Sequence, residues 1–236
     1  MESPSDYTIS RLSEKAVVVQ FEPVISPQNL KRVLSLKASL NQNKFTGLIE
    51  AVPGYNSLTI YFDPLTVNES DLPGQSLFDK VSGVLTSVDV RTDWEASSVL
   101  HTIPVCYDLK YALDLKELAE TLTLSIEEII SIHSNQEYLV YLIGFTPGFP
   151  YLGVLPSALE CKRKENPRKK VPPGSVGIAG KQTGIYPFET PGGWQIIGRT
   201  PVDLFSADKE QPSLLKSGDI VKFELISEKE FQSLSS

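Results

Sequence analysis

The sequence predicts an α+β protein of two domains: a small α/β-sandwich-like domain over residues 1–92, then a β-barrel over 93–236 that begins with a helical pair. Three observations predict it. In the first part, β-branched runs alternate with helical periods. Around residues 91–98 (RTDWEASS) the pattern lapses. Beyond Gly144 short apolar segments are separated by Pro-Gly turns, with no long helix to cover a sheet, which favours a closed or nearly closed barrel.

Residues 16–21 (AVVVQF) form a run with strand character. Ser26-Pro27 then supplies an N-cap and a first helical residue, and Leu30, Val33, Leu34 and Ala38 mark one helical face. Residues 45–52 read as a second strand, stopped by Pro53-Gly54. Leu58, Ile60 and Phe62 alternate with Thr59 and Tyr61 in a third strand, which ends at Asp63-Pro64. Pro73 and Phe78 lie at a helix start ahead of residues 84–90, which read as a strand. No reactive cluster stands in this domain.

Residues 103–107 (IPVCY) restart as a short strand. A helix is expected over 114–121, with Leu115, Leu118, Ala119 and Leu122 on one side. A second is expected over 125–134, where Ser125 and Glu128 have capping-box spacing. The stretch 141–156 (YLIGFTPGFPYLGVLP) carries too much apolar surface to remain in water, and its prolines lower the entropic cost of order. It reads as a rigid wall, facing either a small molecule or another protein. Strand-like pieces follow at 176–180, 185–188 and 194–197, with turns at Pro173-Gly174 and Pro191-Gly192. A last strand at 220–226 is entered through the turn 216–219.

The formal charge of −7 argues against broad nucleic-acid binding, which needs an excess of cations on one surface. No apolar run is long enough to cross a bilayer and no secretory leader is visible at MESPSDYTIS. Cys106 and Cys161 form no CxxC pair and are expected to be reduced thiols of a cytoplasmic protein.

Several standard motifs fail. Gly180-Lys181 is followed by Gln182, and position 175 is Ser, so there is no Walker loop. Gly174-Ser175-Val176-Gly177 has its serine one place too early for a nucleophile elbow. His101 and His133 are the only histidines, which excludes a His-rich zinc site, and no metal set is expected. His133 closes the second predicted helix, where it serves as a favourable dipole partner needing no chemistry, or as the histidine of a Ser-His-Asp triad, which would require one of these two. The basic run Lys162-Arg163-Lys164 and Arg168-Lys169-Lys170 is either a solvated loop or a set of cations turned inward with Lys181 and Arg199 to hold phosphate or carboxylate oxygens. Gln182, Thr183 and Tyr186 add neutral donors. Gly192-Gly193-Trp194 sets a large aromatic after two permissive residues, as core filler or as a stacking surface.

A resemblance becomes visible in GFTPGFPYLG (144–153), Pro167-Arg168, VPPGSVGIAG (171–180), QTGIYP (182–187), TPGGW (190–194) and IGRTP (197–201). With His133 and VPGY (52–55), these residues make the chain similar to the B-subunit family of the 5-oxoprolinases over essentially its full length. That family includes the sporulation kinase inhibitor KipI and is related to the first subunit or domain of allophanate hydrolase. The resemblance implies a cyclophilin-like barrel after the small α+β domain. It also implies a B subunit that works with the A and C subunits to open 5-oxo-L-proline to L-glutamate at the expense of ATP, with Mg2+. The kinase-inhibitor branch implies a sensor histidine kinase as partner instead, and the allophanate branch an accessory role beside an amidohydrolase. In the enzymatic case His133, Arg168 and Arg199 are the expected catalytic residues. Lys181, Gln182, Tyr186, Gly192, Gly193 and Trp194 are then expected against the nucleotide. The family commonly reads Pro-Arg, a spacer, then Pro-Arg; here the first pair is Lys162-Arg163, so this loop is expected to be looser.

Overall fold

The computed structural model describes residues 7–88 and 98–235. The chain forms two compact units, Met1–Ser97 and Ser98–Ser236. The first carries β1 (Thr8–Ser13), β2 (Ala16–Gln20), α1 (Pro27–Gln42), β3 (Leu48–Pro53), β4 (Ser57–Phe62), α2 (Pro64–Glu69) and α3 (Leu77–Ser87). Its antiparallel sheet runs β1-β2-β4-β3. Alternation turns Val17 and Val19 of β2 and Leu58, Ile60 and Phe62 of β4 to one face, where Val33, Leu36 and Leu40 of α1 and Val81 and Leu85 of α3 cover them. Each such side chain taken out of water contributes about 1.5–3 kcal/mol before entropy is counted. Ser26 accepts from the Asn29 N–H at 3.2 Å with Pro27 as first helical residue, as its spacing predicts.

Residues 84–87 are not a strand but the last turn of α3. Ser76 and Asp79 form a reciprocal capping box, and Val81 and Leu85, four apart, face the core. Residues 89 and 90 lie outside the described residues.

The second unit carries β5 (Leu100–Val105), α4 (Leu115–Leu122), α5 (Ile126–Ser134), β6 (Glu137–Ile143), β7 (Pro150–Gly153), a 3-10 turn (Ser157–Leu159), β8 (Arg168–Val171), β9 (Ser175–Ala179), β10 (Gln182–Ile185), β11 (Thr190–Gly192), β12 (Gln195–Arg199), β13 (Ile220–Leu225) and α6 (Glu228–Leu234). A seven-stranded sheet runs β12-β9-β10-β7-β6-β13-β5, and β8 pairs with β11 apart from it. Among the described residues of this unit, only the β13–β5 pairing is parallel. The sheet curls, and its edge strands β5 and β12 meet through one residue pair, Cys106 and Arg199, whose N–H groups donate to each other's carbonyls at 2.8 and 2.9 Å. The result is a half-closed barrel. Its core holds Val140, Leu152, Val176, Ile178, Ile185, Val221 and Phe223, with Leu115, Leu118 and Ile129 of the helical pair packed against them. Among the described residues no helix is long and apolar enough to cross a membrane.

The Gly144–Gly153 stretch is ordered, as its apolar content requires. Gly144 donates to the Phe149 carbonyl at 3.0 Å and Phe149 to that of Thr146 at 3.1 Å, so the loop closes tightly between β6 and β7.

Candidate functional site

The second unit concentrates its charge around Asp114, a residue that sequence reasoning took only as the start of a helix. Asp114 stands at the N-cap of α4, yet its carboxylate caps nothing there. It is buried and turned toward β12 and the basic segment. Arg168 grips it with two guanidinium nitrogens at 2.8 and 2.5 Å, Lys164 donates at 2.8 Å, and the Ile196 N–H donates at 2.7 Å. The Asp114 N–H donates back to the Ile196 carbonyl at 2.8 Å. Burial by itself would raise the pKa of this carboxyl, but the donors from Arg168, Lys164 and Ile196 outweigh it and hold it below the ordinary carboxylate value. Further bonds fasten the basic segment: Lys164 N–H to the Gly193 carbonyl at 2.7 Å, and Gln195 Nε2 to the Lys162 carbonyl at 3.1 Å. The loop carrying Lys162 in place of a proline is therefore pinned at several points.

Between this segment and α4 opens a cleft of about 610 Å³, lined by Leu118 and Leu122 on the helix side and by Cys161, Lys162, Arg163 and Gln195 on the other. Burial, then the nearby Asp114 charge, pushes the Cys161 thiol up to about 11. The guanidinium of Arg163 lies 6.0 Å from the centre of the Trp194 ring.

Trp194 belongs to a second, small core with Phe149, Val171, Ala179, Tyr186 and Ile196. Phe149 is its centre, meeting Tyr151, Tyr186 and Trp194 edge to face at 4.9, 5.1 and 5.6 Å. A Cβ at Gly192 would lie 2.5 Å from the Tyr186 oxygen, so only glycine fits, whereas Gly193 has room, with Pro167 nearest at 3.5 Å. Tyr186, Gly192 and Trp194 thus close a wall rather than open a cradle. Lys181 sits on an exposed turn, 3.8 Å from Glu160, and Gln182 is half-buried at the start of β10.

His133 lies elsewhere, fully buried in the barrel core. Its Nε2 is 2.9 Å from Thr183 Oγ1 and its Nδ1 is 2.8 Å from Tyr107 Oη. The single Thr183 hydroxyl proton is directed to the Gly177 carbonyl at 3.2 Å. Thr183 therefore accepts from Nε2–H, and Nδ1 accepts from the Tyr107 hydroxyl, which assigns the tautomer by proton count. The ring stacks on Phe223 at 4.6 Å. Burial lowers its pKa to about 3, so it is neutral at pH 7.

Arg199, where the barrel edges meet, donates from Nε to the Pro173 carbonyl at 2.8 Å, with its guanidinium 5.9 Å from the Phe231 ring of α6. His101 bonds the buried Asp219 carboxylate at 3.1 Å, beside the turn at Lys216. The structure therefore gathers Arg168 and Lys164 around Asp114, sets Arg163 on the cleft and Trp194 in the adjoining aromatic core, and places His133 and Arg199 in two other neighbourhoods. Among the described residues no cluster of His, Cys, Asp and Glu is arranged to hold a metal ion.

Residues 7–215 match the family model described as carboxyltransferase domain, subdomain C and D. The 5-oxoprolinase B subunit of Bacillus subtilis (strain 168) is 42% identical over 95% of both chains. The crystal structure of TTHA0988 superposes with a TM-score of 0.78 at 34% identity, over 90% of this chain; this chain spans only 40% of the length of that one. The Kluyveromyces lactis urea amidolyase superposes with a TM-score of 0.76 over 99% of this chain and 16% of its own, and at 18% identity this shows a shared fold alone. With a family model covering most of its length and a B subunit matched nearly end to end, the chain belongs to the 5-oxoprolinase B-subunit family of carboxyltransferase subdomain C and D proteins.

Proposed function

We propose that this chain is the B subunit of an ATP-dependent 5-oxoprolinase, acting with the A and C subunits in the cytoplasm to convert 5-oxo-L-proline to L-glutamate, and inactive alone. The observation that carries the reading is 42% identity with a 5-oxoprolinase B subunit over 95% of both chains. The curled sheet, read as a cyclophilin-like barrel, and the free thiols Cys106 and Cys161 are consistent with it. So is the internal commitment of the strongest candidate groups. His133 is sealed in a core, Arg168 is neutralised by Asp114, and Arg199 is bonded to a backbone carbonyl. Such a chain shapes and positions; the remaining catalytic groups come from the partner proteins.

ATP supplies, when bound, activation of the unreactive lactam oxygen. Four of the six residues expected against it are placed unfavourably for a nucleotide in this chain. Lys181 is exposed beside Glu160, Tyr186 and Trp194 are packed in a core, and Gly192 is closed by Tyr186. We therefore assign the nucleotide and its Mg2+ to the partner proteins.

The test is phosphate release by purified A and C subunits, with 5-oxo-L-proline and ATP, before and after this chain is added. Release that requires all three proteins and the lactam supports the reading. Stoichiometric suppression of a sensor kinase's autophosphorylation by this chain, or turnover of a urea-derived substrate in place of 5-oxoproline, would replace it.

A further inference from the structure

We infer that the cleft between α4 and residues 160–166 binds a small aliphatic ring bearing a carboxylate, the class to which 5-oxo-L-proline belongs. This rests on the enzymatic reading above and says where in this chain the substrate is held. The cleft, about 610 Å³, is within the usual range of ligand sites and exceeds a single five-membered ring, leaving room for a partner's loop to close over it.

Charge accounting gives the ligand its sign. Lys164 and Arg168 are answered by Asp114 and Glu117, and Lys181 by Glu160. Among the described residues Lys162 and Arg163 have no ion-pair partner, and Glu165 is the one lining carboxylate without a cation. The lining side chains themselves balance, three cations against three carboxylates; with their paired neighbours Asp114, Arg168 and Lys181 the region carries one excess positive charge, on a segment that Asp114 holds in place. The exposed guanidinium of Arg163, 6.0 Å from the centre of the Trp194 ring, can donate to both oxygens of a carboxylate.

The other lining groups suit a lactam. Leu118, Leu122 and the protonated Cys161 thiol offer an uncharged side to ring methylenes. Gln195 spends its amide N–H on the Lys162 carbonyl, which leaves its amide oxygen as an acceptor for a lactam N–H. Asn166 supplies a donor amide for the lactam oxygen. Among the described residues no aromatic side chain lines the cleft, so none there offers a face to a nucleotide base.

The experiment is a titration of the isolated full chain with 5-oxo-L-proline, followed by amide chemical shifts, with ATP titrated in parallel. Saturable shifts are expected at Leu118, Leu122 and Gln195, weakened roughly ten-fold or more by Arg163→Ala. Thr121→Trp, which fills the cleft from the helix, should abolish them, and Lys170→Ala, whose ion pair with Glu189 lies outside the cleft lining, should leave them unchanged. No binding, binding indifferent to Arg163→Ala, shifts confined to another region, or ATP taking the cleft in place of the lactam would each overturn the inference. Lactam binding at the cleft in a chain that gives no turnover with the A and C subunits would retire the enzymatic reading and keep the site. Turnover indifferent to Arg163→Ala, with no binding here, would do the reverse.

Discussion

At neutral pH the His133 ring is an uncharged bridge between Tyr107 and Thr183, and this neutrality couples the barrel's stability to acid. The unfolded chain binds a proton there near the ordinary value of 6.5, while the folded chain resists until about 3. Stability therefore falls as pH drops through that window, by about 1.4 kcal/mol per unit. Unfolding free energies of wild type and His133→Gln, taken from urea titrations between about pH 7 and 4, should diverge by that amount per pH unit below about 6.5; parallel curves would contradict a buried neutral ring. Asp114 acts in a lower window, because its depressed pKa gives stability that is kept above the unfolded carboxyl value and lost below it. Asp114→Asn strips the counter-charge from Lys164 and Arg168. Since those side chains keep 20% and 24% exposure, a loss near the low end for a broken buried pair is expected, about 3 kcal/mol. A double-mutant cycle with Arg168→Ala checks it, and additivity would refute the coupling. From the sequence, Arg168 was legible as a residue with a task but not as a positioning residue, because its partner lies 54 positions away.

Among elements, local signals were the most legible, though not all of them were read, and elements defined by distant packing were missed. Ser125 and Glu128 form the capping box their spacing announces, and the same pattern at Ser227 and Glu230 starts α6, which the strand-dominated reading of the last third passed over. β1 has no apolar alternation to betray it, since almost every residue faces outward and pairing with β2 alone makes it a strand. Residues 84–87 carry β-branched and apolar types but fall on a helix, where Val81 and Leu85 must share a face. The paired glycines were legible as permissive, yet their difference is tertiary. Gly192→Ala pushes a methyl into the Tyr186 ring and should cost about 1–3 kcal/mol, while Gly193→Ala should lie within about 0.5 kcal/mol of wild type. Thermal melts of the two variants decide it, and equal losses would mean that Tyr186 yields.

For the molecule as a whole, the half-closed barrel follows from turn-rich sequence, whereas its closure through Cys106 and Arg199 joins residues that no periodicity relates. The functional reading follows the same division. The glycine-proline motifs announce the family, and the fold then shows that several of their residues build walls and joints. Under the proposed reading, the chain shapes a site that its partners complete. The most direct measurement is the formation of labelled glutamate from labelled 5-oxo-L-proline, with ATP, as this chain is titrated into fixed amounts of the A and C subunits. Glutamate should be absent without the chain, rise with it and level off once the partners are saturated; full glutamate formation by the A and C proteins alone would contradict that role.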